Sequence, residues 1–175
     1  TLDAVEYMIN DTCGFRQPGA IEAVSQSRCG LCVMHMKGEP RTMQASPPEY
    51  TDLIGEIGLF LGARAQKLRA AWIDPRRIVL DPGFGFGKTA DQNFQLLRRL
   101  SSLRSTGYPL LIGLSRKGFI GALSRKEPPK DRLAGSLARA LSCMGQGAQI
   151  IRVHDVVETY QARALWLALE GQTST

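Results

Sequence analysis

Long hydrophobic runs are missing from this chain of 175 residues. No apolar stretch approaches the roughly 18 residues of a membrane span, so no transmembrane helix is expected. The opening residues Thr1 to Met8 carry neither a basic segment nor an apolar one, so no secretory signal is visible. An initiator methionine is also lacking, from which we expect upstream sequence. Aromatic residues are scarce, at 7%, and are not interleaved with the basic ones. Although 22 Lys and Arg face 16 Asp and Glu, for a net charge of +6, no nucleic-acid interface is therefore expected. The surplus suits a small anionic ligand. Cysteines number four, at Cys13, Cys29, Cys32 and Cys143. Cys29 and Cys32 have metal-knuckle spacing, but no second pair follows, and no metal-ligating set is assigned. A redox pair remains open, yet Cys32 begins an apolar run and reads as a small hydrophobe. Reduced thiols in a cytoplasmic protein are the expectation.

What the sequence does have is one unit, repeated. Apolar, β-branched runs recur at Val5–Ile9, Leu31–Met36, Arg77–Leu80, Leu110–Leu114 and Gln149–Val153, each bounded by Gly, Pro or Asp. Helix-period stretches lie between them. One spans Ser46–Trp72, with Ser46 as N-cap, Pro47 in the first turn and Glu49 closing a capping box. Others cover Asp91–Leu103 and Leu133–Met144, and the last opens on Asp155 with Glu158 three residues on. Continuous apolar strands alternating with helices predict an α/β fold with a parallel sheet, in a single domain over 1–175. Five such units make either an open doubly wound sheet or most of a (β/α) barrel, since a closed barrel needs eight strands and typically ~250 residues.

Polar residues cluster just after the apolar runs: Asn10-Asp11, His35-Met-Lys37, Asp81, Ser115-Arg-Lys117 and Arg152-Val-His154-Asp155. The carboxyl edge of a parallel sheet is where ligands bind, so one site assembled from these strand ends is the economical reading. Asp81 opens the segment Asp-Pro-Gly-Phe-Gly-Phe-Gly87-Lys88-Thr89, whose glycines allow close backbone approach to a ligand. A phosphate-cradling P-loop is excluded because Pro82 stands where its first glycine belongs. A strand-end carboxylate suits a flat heterocycle with two adjacent N–H donors; capping of the loop amides is the structural alternative. Lys117 reads as a partly buried cation that meets ring acceptors. Arg152 and His154 share one strand face and precede a helix N-terminus, which makes an anion site for phosphate or diphosphate. A core role for His154 stays open, and His35, between Met34 and Met36, reads equally well as a packing residue.

Five segments in order carry a resemblance: Ile9-Asn-Asp11, Met34-His-Met-Lys-Gly-Glu-Pro-Arg-Thr-Met-Gln44, Asp81 to Lys88, Gly113-Leu-Ser-Arg-Lys-Gly-Phe-Ile-Gly121 and Arg152-Val-His-Asp155. Together they resemble the motifs of the dihydropteroate synthases, folate-pathway enzymes that sulfonamides inhibit. The resemblance implies a (β/α)8 TIM-barrel fold, here apparently lacking the first three or so βα units. It implies condensation of 6-hydroxymethyl-7,8-dihydropterin diphosphate with p-aminobenzoate to 7,8-dihydropteroate and diphosphate. Asn10, Asp81 and Lys117 would bind the pterin. Arg152 would stack on it and, with His154, receive the diphosphate, so Lys117, Arg152 and His154 carry catalysis. Phe86 and Lys117 would border the aminobenzoate. Magnesium is the implied cofactor, its protein ligand expected in the absent front part, and a homodimer is the implied assembly. One departure stands inside the motifs: Gly118 occupies a position where the family commonly has a serine that meets the aminobenzoate carboxylate. The alternatives are a pterin-binding methyltransferase-type barrel, which has no use for an anion corner, and a truncated chain that binds pterin without activity.

Overall fold

A computed structural model describes residues 7–38 and 49–171. Its parallel strands are β1 (Met8–Asp11), β2 (Gly30–Met34), β3 (Ile78–Asp81), β4 (Leu111–Ile112) and β5 (Ile150–Ile151). β1 pairs with β2, β2 with β3, and β4 with β5. A parallel bridge between Leu80 and Leu110 links β3 to β4, and the Leu80 N–H donates to the Pro109 carbonyl at 2.9 Å. Strand order thus follows chain order. A doubly wound sheet reverses its order part-way, so this topology decides between the two architectures that five βα units leave open.

The helices are α1 (Ala20–Ser25), α2 (Leu53–Ala70), α3 (Ala90–Arg98), α4 (Gly118–Ala122), α5 (Leu133–Gly145) and α6 (Val156–Leu169). Strand residues alternate between two apolar clusters, as a two-residue side-chain period requires. Leu31, Val33, Ile78, Leu80, Leu110 and Ile112 pack with helix residues such as Ile57, Leu61, Leu96 and Leu100. Cys32, Val79 and Leu111 form a second cluster on the other face, with Met8 and Ile150 against it. Helices on one face and a helix-free, buried opposite face are the arrangement of a (β/α) barrel wall. Burying each of these large side chains contributes about 1.5–3 kcal/mol.

Cys29 belongs to the helix-side cluster and Cys32 to the inner one, so their sulfurs lie on opposite faces. The four cysteines are free, and that geometry rules out a redox pair of Cys29 with Cys32. Burial drives the Cys32 thiol far up and that of Cys143 up to about 12. Both behave as small hydrophobes.

Several boundaries differ from those the sequence predicts. α2 starts at Leu53 and not near Ser46, which with Pro47 lies outside the described residues. Asp52 caps it, accepting from the Gly55 N–H at 3.2 Å, while Glu56 reaches back to the N–H groups of Thr51 (2.8 Å) and Asp52 (3.3 Å). α3 begins at Ala90, one residue before the expected Asp91, because Thr89 and Gln92 form a reciprocal capping box. It gives way to a 3-10 turn at Leu100–Thr106 where one continuous helix was expected. The first strand runs Met8–Asp11, with residues before Tyr7 outside the description. β5 ends at Ile151, short of Val153. Among the described residues, no helix is long and apolar enough to cross a membrane.

Candidate active site

The sheet's register brings the predicted residues to one edge. Met34 and Asp81 are paired in adjacent strands, and Asn10 pairs with Cys32 two residues below. Asn10 is exposed on the outermost of the described strands. The turn after it is fixed from within: the Asp11 carboxylate accepts from the N–H groups of Cys13 (3.0 Å) and Phe15, and the buried Arg64 donates to the carbonyls of Gly14 (2.7 Å) and Phe15 (2.6 Å).

Asp81 is buried at the end of β3, and its Oδ1 accepts from the Gly83 N–H at 2.7 Å. The capping alternative is therefore real for one oxygen. No hydrogen bond to Oδ2 is found among the described residues. The glycines that follow serve the protein's own packing more than a ligand's approach. Gly83 and Gly87 have φ of +70° and +60°, and a Cβ on them would stand 1.8 Å from the His35 carbonyl oxygen and 2.0 Å from that of Lys37. The loop lies flat on the chain leaving β2, closer than any side chain allows.

That loop and the turn after β4 meet around one cation. Lys117 Nζ donates to the Phe84 carbonyl and stands 4.4 Å from the centre of the Phe86 ring. Burial holds the Lys117 pKa down at about 8, against the attraction of Asp81 and with the help of Arg152. Asp81 feels the same neighbours in reverse. Burial raises its pKa, while the Gly83 amide, Lys117, Arg152 and Lys88 pull it down. Arg152 closes the group from β5. Its backbone N–H donates to the Ile112 carbonyl at 2.9 Å, and its guanidinium fills the space over Gly113, where a Cβ would come within 2.7 Å of it. Asp81, Lys117 and Arg152 thus form one electrostatic cluster.

His154 joins from the side. Ser115 Oγ, itself buried, accepts from the His154 N–H at 3.2 Å and lies 3.0 Å from its Nδ1. Val153 between the two lines a groove of about 420 Å3 along α5 and α6, and the regular strand ends at Ile151, before either residue. Asp155 precedes α6 as expected but makes no side-chain cap. Its carboxylate is taken by the Arg116 guanidinium, through Nε at 3.2 Å and a second, shorter bond to Nη2. This pair ties the β4 turn to the start of α6.

Sequence reasoning passed over Lys88 and Asn93, both almost wholly buried. Lys88 Nζ donates to the carbonyls of Gly83 (2.9 Å) and Phe86 (3.1 Å) and to Nδ1 of His35 (3.1 Å). With Lys88 charged and donating, the His35 proton sits on Nε2. The ring packs edge-on to Phe60 at 5.0 Å between ring centroids. Burial and the Lys88 charge lower the His35 pKa to about 3. In the unfolded chain it titrates near 6.5. The folded state thus refuses a proton that the unfolded state accepts, and stability is lost as pH falls from 6.5 toward 3. From pH 7 to pH 5 this group alone removes about 2 kcal/mol. Denaturant unfolding at both pH values checks it: His35→Gln should lose that share of the pH dependence, and an unchanged slope would refute the assignment.

The comparisons with known proteins fit this geometry. The family described as "Pterin binding enzyme" matches residues 1–154. The chain belongs to this family. The dihydropteroate synthase of Neisseria meningitidis serogroup B is 47% identical over 166 residues, which cover 93% of this chain and 58% of the relative. The Yersinia pestis dihydropteroate synthase, solved in a sulfonamide drug complex, superimposes with a TM-score of 0.89 at 44% identity, over 94% of this chain and 60% of that one. The Xanthomonas albilineans enzyme in complex with 7,8-dihydropteroate gives 0.86 at 44% identity, over 93% and 60%. The chain spans about three-fifths of the length of these relatives. Their fold is of TIM-barrel type, in agreement with the sequential parallel sheet.

Proposed function

We propose that this chain carries the pterin and diphosphate subsites of a dihydropteroate synthase, and that its βα units are the last five of an eight-unit barrel. The observation that carries the reading is the cluster of Asp81, Lys117 and Arg152 at one sheet edge, with His154 beside it. Oδ2 of Asp81 and the Asn10 amide take the N–H edge of the dihydropterin, and Lys117 takes its ring acceptors. Arg152 lies over the ring and, with His154 and the first N–H groups of α6, receives the diphosphate. The aminobenzoate nitrogen then displaces diphosphate at the exocyclic CH2. Fixed cations aimed at the departing oxygen stabilise a transition state rich in carbocation character, and they need no reorganisation to do so. Phe86 and the stem of Lys117 wall the aminobenzoate, the same place a sulfonamide takes.

Magnesium is implied by the family resemblance, with its protein ligand in the front part of the family's barrel and not among the residues described. Asp81 gives one oxygen to Gly83 and faces three cations, and among the described residues no group of three or more His, Cys, Asp or Glu side chains could hold an ion. No step here runs through it. A homodimer through the last helix is part of the proposal, supported by Val157, Tyr160, Leu165 and Leu169, all exposed on α6. Assay of dihydropteroate formation from the two substrates tests the reading. Failure to bind dihydropterin would overturn it.

Gly118 offers a sharper test. It is exposed at the start of α4, and a Cβ there would meet nothing within 4 Å. Gly118→Ser therefore adds a hydroxyl without a clash. One hydrogen bond of about 0.5–1.5 kcal/mol should tighten p-aminobenzoate and sulfonamide binding between about twofold and tenfold. Isothermal titration reads it, and unchanged affinity would remove the idea.

A further inference from the structure

The charged group that the reaction scheme leaves unused is also among the most deeply enclosed. Lys88 is 4% exposed, and each of its three ammonium hydrogens has an acceptor: the carbonyls of Gly83 and Phe86 and Nδ1 of His35. A buried cation costs several kcal/mol unless it is matched in this way. It is a demanding means of closing a loop that glycines and a proline already shape. The same loop is held at other points. Asn93 accepts from the Gly85 N–H at 2.7 Å and donates to the carbonyls of Lys88 (3.3 Å) and Thr89 (2.7 Å). The Tyr50 hydroxyl donates to the Gly87 carbonyl at 3.1 Å. With the carbonyls of Gly83, Phe86 and Gly87 turned inward to these donors, that of Phe84 is the one presented to Lys117, and the Phe86 ring lies beneath the same ammonium.

We infer that Lys88 is a positioning residue for Lys117: by fixing the carbonyls on either side of Phe84 and Phe86, it sets the cradle that aims the Lys117 ammonium into the site. Lys88 does not touch the substrate. His35 completes the device as the third acceptor, which gives this residue a purpose beyond packing. The inference deepens the proposed function and rests on it.

A double-mutant cycle tests it, with 6-hydroxymethyl-7,8-dihydropterin binding followed by calorimetry. Lys88→Met keeps the bulk of the side chain and removes its donors. If Lys88 acts through Lys117, the substitution weakens pterin binding about tenfold in the native chain but less than twofold in a Lys117→Ala background. An equal loss in both backgrounds, or none in the first, overturns the inference, because a general loss of structure would act alike with and without Lys117. Should Lys88→Met not fold, the His35 pair replaces it. His35→Asn keeps an acceptor where Nδ1 stood and should bind pterin as the native chain does, whereas His35→Leu should bind several-fold more weakly and lose that difference when Lys117 is Ala. Equal behaviour of the two His35 variants refutes the device. Failure of the functional reading has a separate signature, namely no pterin binding by the unaltered chain. Amide hydrogen exchange then still tests Lys88, since Lys88→Met should speed exchange at Gly85 and Phe86 at least about tenfold, and unchanged rates overturn the inference.

Discussion

Asp81→Asn should lower dihydropterin affinity a hundredfold or more while leaving the fold intact. The carboxylate lies at the end of β3 with one oxygen engaged by the Gly83 amide and, among the described residues, no hydrogen bond to the other. An asparagine has the same shape, and its carbonyl oxygen can keep the Gly83 bond. What it changes is the second position, where an NH2 would face the ligand's own N–H donors. Bonds from such donors to an ionised acceptor contribute about 1.5–3 kcal/mol each, so losing two amounts to about 3 kcal/mol or more. Burial raises the Asp81 pKa, and three neighbouring cations oppose the rise. A dihydropterin edge would add two further partners for the charged form. Pterin binding should accordingly weaken as pH falls through the carboxyl's titration, and the Asn variant should lose that dependence. Calorimetry with the dihydropterin, together with a cooperative thermal transition as control, checks both. Affinity within about threefold of the native value would mean that Asp81 is only a loop cap.

The elements were more legible in the sequence than their arrangement. Apolar runs at Leu31–Met36 and Arg77–Leu80 announce β2 and β3 because a strand buried on both faces has no alternation to obscure it. Nothing in those runs says which strand lies next to which, so a barrel wall and a doubly wound sheet are equivalent in sequence and differ only in the pairing of β1 through β5. Strand-end chemistry was legible for Asp81, Lys117, Arg152 and His154, since a charge directly after an apolar run is conspicuous. Lys88 was hidden by its context: a lysine between Gly87 and Thr89 looks like a solvated loop residue or part of a phosphate loop. Its burial depends on His35, 53 residues away in sequence. Thr89-Ala-Asp-Gln92 spells a capping box in the sequence itself, a stronger helix start than Asp91. Asp155 shows the converse, a good cap residue drawn off by Arg116, whose partner only the tertiary fold supplies.

Gly83→Ala should be the most damaging single methyl group in the chain. The added Cβ meets the His35 carbonyl oxygen at 1.8 Å, and the residue holds φ at +70°. The left-handed conformation costs an alanine about 1–2 kcal/mol. Relieving a backbone overlap of that size costs about 1–3 kcal/mol more, because either the loop or the end of β2 must move. The smaller entropy of the unfolded alanine chain returns at most about 1 kcal/mol. A net loss near 3 kcal/mol lowers the melting temperature by roughly 10 °C in a chain of this size. Gly107 supplies the control. It has φ of +77° but nothing within 4 Å of a Cβ, so Gly107→Ala bears the conformational term alone and should lose about 1 kcal/mol. Equal melting points for the two variants would show that the loop does not lie against the strand as described. The functional consequence separates the two sites as well. A displaced Gly83 carries with it the Phe84 carbonyl and the Phe86 ring that hold Lys117, so Gly83→Ala should also weaken pterin binding at temperatures where it is fully folded, whereas Gly107→Ala, remote from every strand end of the site, should not.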